Sequence, residues 1–116
     1  MKSIEFGPLD FADGFDPVPG KPLVSVKVLS DTLDHDAKSG QRTRLIKVKA
    51  GYSNGPHDHP YWEELVILSG SLYEGDPAVE EKKHVTNAHA RRAPGHMHGP
   101  VRTEETCCLF EVNWYD

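Results

Sequence analysis

The sequence predicts a single all-β domain in which short antiparallel strands form a small barrel or a sandwich. Segments with strand-like, period-2 alternation recur along the chain and are separated by turn-forming Gly, Pro, Asp and Ser residues. No stretch of ten or more residues shows sustained helical periodicity. The length of 116 residues is that of one domain, and it is long enough to bury a core without disulfide or metal staples.

The individual strands follow from the alternation of apolar and polar residues. Val24, Val26 and Val28 alternate with polar neighbours and predict the first strand, which a long polar segment separates from the second. The further predicted strands are Arg44–Ala50, Trp62–Leu68, Ser71–Tyr73, Thr86–Ala93 and Thr106–Trp114. In Arg44–Ala50 we expect two side chains to face inward, Ile46 and Val48, and three to face outward, Arg44, Lys47 and Lys49.

The first 22 residues differ in composition from the rest of the chain. They contain four prolines and three glycines, together with Phe6, Phe11 and Phe15. We expect residues 1–22 to form an irregular arm laid over the body or over a partner, because free disorder would leave three phenylalanines in water. Residues 23–116 then form the barrel domain.

Charge and hydropathy make several partner classes poor candidates. The formal net charge is -5 and no basic block is present, so neither nucleic acid nor an anionic membrane surface is an expected partner. No apolar segment has membrane-spanning length, and a cytoplasmic location is the default. Cys107 and Cys108 are adjacent and point to opposite faces of a strand, so we expect two reduced packing cysteines.

Four of the seven histidines lie in two tight clusters, which together predict a metal site. His57 and His59 are two residues apart, so on a strand both imidazoles share one face. Glu63 keeps the same parity if the strand resumes after Pro60, whereas Glu64 then points outward. Three or more such N and O ligands suit a divalent transition metal, either Fe, Mn, Ni, Co or Zn.

The second cluster follows a Pro94-Gly95 turn and contains His96 and His98. Parity alone would place both on one face, but the turn prevents that inference, so either of the two is a candidate ligand. Glu64 and His96 are the alternates to Glu63 and His98. Among their neighbours, five side chains have an undecided orientation toward the pocket: Tyr61, Trp62, His89, Arg91 and His96. His35 and His84 lie in polar segments that we expect to be loops.

These motifs resemble those of the cupin superfamily. Gly51–Gly70, GYSNGPHDHPYWEELVILSG, matches every fixed position of the first cupin motif, G-x5-H-x-H-x3,4-E-x6-G. The second motif, G-x5-P-x-G-x2-H-x3-N, matches at Gly95 and His98, but Ala93 replaces its proline, no glycine stands near position 87, and Arg102 replaces its asparagine. The resemblance implies an antiparallel jelly-roll β-barrel and the metal ligands His57, His59, Glu63 and His98.

A narrower resemblance rests on three segments, HPYWEELVILSGSL, RAPGHMHGP and CCLFEV, of which the first two overlap the motifs above. These are similar to small bacterial cupins related to anti-sigma-factor cupin domains and to acetylacetone-cleaving dioxygenases. The resemblance implies one metal ion inside the barrel, a small-molecule ligand and a homodimer. It leaves two functions open: a metal-dependent oxygenase or isomerase for a small oxygen-rich molecule, or a non-catalytic ligand-binding or sensing module.

Overall fold

The computed structural model describes residues 1–116 and contains strands and turns but no helix. The predicted all-β class is therefore confirmed. Each predicted strand corresponds to an observed one, with ends that differ by up to three residues. The strands are β1 Asp16–Val18, β2 Lys21–Asp31, β3 Gln41–Val48, β4 Ser53–Asn54, β5 Trp62–Ser69, β6 Ser71–Glu74, β7 Lys82–Val85, β8 His89–Arg92, β9 Val101–Arg102 and β10 Cys107–Trp114.

The strands form two sheets, and all pairings within them are antiparallel. The larger sheet has six strands in the order β1-β2-β3-β10-β5-β8, and the smaller has four in the order β4-β9-β6-β7. The smaller sheet brings distant parts of the chain together, because β9 pairs with both β4 and β6. No helix in the structure has the length and apolar character needed to cross a membrane.

The register of the larger sheet arranges its inner face in rows across β3, β10 and β5. One of these rows is apolar and contains Ile46, Leu109 and Ile67. The centre of the core consists of Leu109 and Ile67 from this row, together with Val48 and Cys107, of which Cys107 is fully buried. Both cysteines are free and buried, as predicted, and burial raises the pKa of the Cys107 thiol to about 11.

Arg44 corrects the prediction for its strand. It lines the interior together with Ile46 and Val48, whereas the sequence argument placed it outside. The reason is parity: positions 44, 46 and 48 share one face of β3 whatever their polarity. The buried carboxylate of Glu111 on β10 lies opposite Arg44 in the register and accepts its hydrogen bond, which makes the inward position favourable.

Regular structure begins inside the predicted arm. Asp16–Val18 form strand β1, which pairs with β2, and β2 itself begins at Lys21. Because β1 is the edge strand of its sheet, Pro17 is tolerated there without loss of an internal ladder hydrogen bond.

The rest of the arm crosses the outer face of β2 and β3. The Lys27 ammonium donates to the backbone oxygens of Asp10 and Asp13 at 2.8 and 3.0 Å, and the Lys47 ammonium lies 4.2 Å from the centre of the Phe15 ring. Phe6, nearer the N-terminus, is fully exposed.

Two turn residues with positive φ, Gly70 and Asn87, occupy glycine positions of the cupin-like motifs. Gly70 has a φ of 80°, and an added Cβ would lie 2.1 Å from the Thr106 carbonyl oxygen, so only glycine fits this motif position. Asn87 stands where the second motif has its first glycine, and it adopts a φ of 75°. Asparagine is among the few residues that enter this left-handed region readily, so the turn survives the substitution.

Candidate metal centre

Three of the four predicted ligands lie together at one end of the barrel interior. One ring nitrogen from each of His57, His59 and His98 lies within 4.8 Å of the other two. His57 and His98 are joined by a pair of backbone hydrogen bonds of 2.9 Å, which bring the two motifs side by side although 40 residues separate them. The two clusters that the sequence places far apart therefore form one histidine group.

Backbone carbonyls hold two of these imidazoles in a defined orientation. His57 Nδ1 lies 3.0 Å from the Gly55 carbonyl oxygen, and His98 Nδ1 lies 3.0 Å from the His96 carbonyl oxygen. A carbonyl can only accept, so each Nδ1 carries the proton and each Nε2 presents its lone pair. This is the tautomer that a metal-binding imidazole needs.

The surroundings of His59 and His98 lower the pKa of both imidazoles and so favour their neutral forms. The pKa of His59 is lowered to about 4, chiefly by burial and in addition by the neighbouring His57 and His98, because two imidazolium charges would repel. Burial is also the largest cause of the lowered pKa of His98. Neutral nitrogens in this arrangement fit a divalent cation, which binds imidazole only in its deprotonated form.

Glu63 lies beside the histidine group and is almost completely buried. Its Oε2 is 3.4 Å from His59 Nε2, and its Oε1 is 3.9 Å from His98 Nε2. Oε1 also accepts a hydrogen bond of 2.9 Å from the Arg92 guanidinium. Oε1 is thus held by the Arg92 cation and lies on the side of His98, while Oε2 faces His59.

The neighbouring side chains divide between the two faces of the large sheet. Tyr61 stacks on His59, with ring centroids 5.1 Å apart and planes inclined by 4°. Trp62 instead stacks on Trp114 at 5.8 Å on the outer face. Glu64 also points outward, as predicted, and pairs with the exposed His89 at 2.6 Å.

Of the remaining undecided residues, Arg91 and His96 are exposed. Three residues of β8 line the cavity, namely Ala90, Arg92 and the largely exposed His89, whereas Arg91 does not. Arg92 is the β8 residue that bonds to Glu63.

Around and below the histidines lies a layer of charged residues that the sequence reasoning did not assign to the site. Arg92 joins Glu63 to Glu74, donating to the latter at 3.0 Å. Arg44 donates through Nε to Glu111 at 2.5 Å. Burial raises the pKa of Glu111, Arg44 opposes that rise, and the charge of Glu63 adds to it. For Arg44, period-2 parity with Ile46 and Val48 was the signal that could have placed it inside.

A cavity of about 280 Å³ extends from the histidines into the barrel. Its walls combine the charged layer with apolar side chains from the core, including Ile46, Leu65, Ile67 and Leu109. His84 also lines it, because residues 82–85 form strand β7 and not the loop that the sequence suggested. A volume of this size suits one small organic molecule.

Comparison with known proteins identifies the family. Residues 15–115 match the model of the ChrR cupin-like domain. The chain belongs to the ChrR cupin-like family. The match spans the whole β-structure, from the residue before β1 to the residue after β10, and it confirms the predicted membership in the cupin superfamily. No curated protein matches this cupin.

Solved structures share the fold at low sequence identity. The polyketide cyclase RemF from Streptomyces resistomycificus has a TM-score of 0.72 and 21% identity, covering 97% of this chain and 81% of that one. An acetylacetone dioxygenase from Acinetobacter johnsonii has a TM-score of 0.70 and 14% identity, covering 98% and 77%. KdgF from a Halomonas species has a TM-score of 0.70 and 16% identity, covering 93% of both chains. These likenesses confirm the jelly-roll fold.

Proposed function

We propose that this cupin binds one divalent transition-metal ion through His57, His59 and His98, with Glu63 as the fourth ligand. The observation that carries the proposal is the convergence of three buried or half-buried imidazoles whose free nitrogens face one another. The Glu63 oxygen that faces His59 supports the fourth position, because Arg92 already holds the other oxygen. Ligating carboxylates are themselves commonly hydrogen-bonded in this way.

We propose further that the loaded protein is an oxygenase or isomerase for a small oxygen-rich organic molecule. One of the structural neighbours described above is named as an acetylacetone dioxygenase and one as a polyketide cyclase, and these names direct the choice of candidate substrates. A metal held by three imidazoles and one carboxylate acts as a Lewis acid, or as an electron donor to dioxygen, when a coordination position stays open.

The chain's own residues have separate roles in this proposal. The carbonyls of Gly55 and His96 fix the two imidazole tautomers. Tyr61 holds the His59 ring by stacking, and Arg92 holds Glu63. The apolar walls below exclude water from one side of the ligand, which strengthens the electrostatic interactions at its polar end.

Metal analysis of purified protein tests the ligand set. We expect about one divalent ion per chain in the wild type, and strong loss of metal in His57→Ala and His98→Ala. His96→Ala is the matched control, since its exposed side chain lies in the same turn but outside the histidine group. Metal content in His57→Ala equal to that of the wild type would refute the site.

Activity is tested after reconstitution with Fe(II). Oxygen consumption is followed with an electrode during exposure to a panel of diketones and hydroxy acids, and anaerobic product analysis by NMR detects isomerisation. We expect turnover of at least one member, and we expect Glu63→Gln to lower it. Absence of oxygen uptake and of product over the whole panel would count against the enzyme proposal.

A non-catalytic sensing role is the second candidate, and Glu63 is the observation that favours it. Three histidines and one carboxylate make four protein ligands, the number found in closed structural sites. The visible spectrum of the Co(II)-loaded protein separates the two roles. Strong four-coordinate absorption that does not change on addition of small ligands favours the sensing module, whereas weak absorption that changes on ligand addition favours an open catalytic site.

A further inference from the structure

Arg44 has a free hydrogen-bonding edge at the cavity wall. Its Nε donates to Glu111, but neither Nη atom donates to any protein group. Arg92, the other cavity arginine, differs in this respect, because both of its Nη atoms are bonded to carboxylates. A guanidinium at a cavity wall with two free donors has the fork geometry that suits a carboxylate.

The balance of charge in the cavity points to the same kind of ligand. The lining contains three fixed cations, Lys21, Arg44 and Arg92, and three carboxylates, Glu63, Glu74 and Glu111. These six groups cancel one another. A divalent ion at the histidines then adds two positive charges that no lining residue offsets, so the loaded cavity attracts an anion.

The position of Arg44 defines where the anionic group would lie. In the register, Glu63 pairs with Asn113, and Arg44 pairs with Glu111, two residues further into the barrel. Two residues along a strand correspond to about 7 Å. The next row inward is apolar, so a ligand that meets both the histidines and Arg44 carries its hydrocarbon part against that row.

From these observations we propose that Arg44 is the carboxylate anchor of this cavity. Resting on the proposed function, the proposal specifies its substrate class: a small oxo acid whose ketone or enolate oxygen lies at the histidines. Its carboxylate accepts hydrogen bonds from the Nη atoms of Arg44. Glu111 positions the guanidinium by holding Nε, which leaves the outer edge for the ligand.

Calorimetric titration with 5-oxohexanoate and its neutral amide tests the anchor, using Zn(II)-loaded protein of measured metal content. We expect the acid to bind about tenfold to 100-fold more tightly than the amide, the range given by hydrogen bonds to a charged group. Arg44→Lys keeps the charge beside Glu111 but loses the fork, and we expect it to lose most of that preference. Arg91→Met, an exposed change on β8, should retain the preference in full.

A double variant, Arg44→Met with Glu111→Leu, serves as the second test, because a single Arg44 variant that fails to fold would give no result. The double variant removes the buried carboxylate together with its partner, so no unpaired charge is left inside the protein. We expect it to lose most of the preference for the acid over the amide, and to keep only the part that the charge of the metal ion supplies. An unchanged preference in this variant, or no preference in the metal-loaded wild type, would overturn the proposal. Loss of the preference in Lys21→Met with retention in Arg44→Lys would also overturn it, by moving the anchor to Lys21.

The metal measurement separates this inference from the proposed function. Failure of the wild type to take up metal refutes the metal site but leaves Arg44 open to the same test in metal-free protein. There, an NMR titration should shift the Arg44 Nε–Hε resonance with 5-oxohexanoate and not with the amide. A metal-loaded protein without that preference refutes the anchor and leaves the metal site standing.

Discussion

Replacing Arg92 should destabilise the metal-free protein much more than the metal-loaded protein. Arg92 is the only cation bonded to Glu63, at 2.9 Å, and it also holds Glu74 at 3.0 Å. Arg92→Met leaves the Glu63 carboxylate, with only 7% of its side chain exposed, without a cation beside it. In the proposed metal site, a bound divalent ion would supply that missing positive charge.

The magnitude follows from the burial of the three groups. Breaking a fully buried ion pair by removing one partner costs about 3–5 kcal/mol, whereas exposed pairs contribute about 1 kcal/mol or less. The Glu74 side chain is 26% exposed, so its share of the loss is small. We expect a total loss of about 2–4 kcal/mol in the metal-free protein, and about half of that once metal is bound.

Urea unfolding of the wild type and of Arg92→Met, each with and without one equivalent of Zn(II), measures all four stabilities. Arg91→Met is the matched control, because it removes an exposed arginine of the same strand, and we expect it to change stability by less than about 0.5 kcal/mol. An equal loss with and without metal would refute the reasoning, since it would mean that the ion does not reach Glu63.

Three further predictions concern the histidines, Tyr61 and the arm. The free energy of unfolding of the metal-free protein should fall by up to about 3 kcal/mol as the pH drops from 6.5 to 4, because His59 takes up a proton near pH 6.5 in the unfolded chain and only near pH 4 in the folded one. Urea unfolding across this pH range measures the change, and the free energy of His59→Gln should depend less steeply on pH. Tyr61→Leu should weaken Zn(II) binding about tenfold in a chelator competition, whereas Tyr61→Phe keeps the stacking ring and should retain affinity. The homodimer remains a prediction: light scattering should give twice the chain mass, and deletion of residues 1–14 should lower it if the exposed Ile4 and Phe6 pack on a partner.

The sequence identified the histidine group because its evidence is local. His57, His59 and Glu63 lie within seven residues, and parity distinguishes Glu63 from Glu64 within β5. The assumed strand through the two histidines is wrong, because residues 55–61 form a loop in which His57 makes an isolated bridge with His98. The tautomers could not be predicted, since they depend on carbonyls of the loops at Gly55 and His96.

The charged layer was missed for a different reason. Parity with Ile46 places Arg44 inside, but the prediction followed the polarity of its side chain instead. Parity also groups Arg92 with Ala90, but it does not say which face of that strand is inside. On β10 both faces are rich in apolar residues, so neither Leu109 nor Phe110 decides the orientation of Glu111. Only the pairing of β10 between β3 and β5 brings these charges together, and that pairing is a property of the whole fold.

The Arg44–Glu111 pair is best explained by function, because buried ion pairs contribute little net stability. Apolar residues of similar volume in place of such a pair leave a protein equally stable or stabilise it by about 1–4 kcal/mol. We therefore expect Arg44→Met with Glu111→Leu to unfold at the same or a higher urea concentration than the wild type while it loses most of the preference for the acid. The single change Arg44→Met should instead be destabilising, because it leaves Glu111, only 4% exposed, without its hydrogen-bonded partner. The remaining cation, Arg42, lies 4.0 Å from Glu111 and donates its hydrogen bonds to Asn113. A double variant less stable than that single variant would show that the pair is retained for packing, and the functional explanation of this buried layer would then fail.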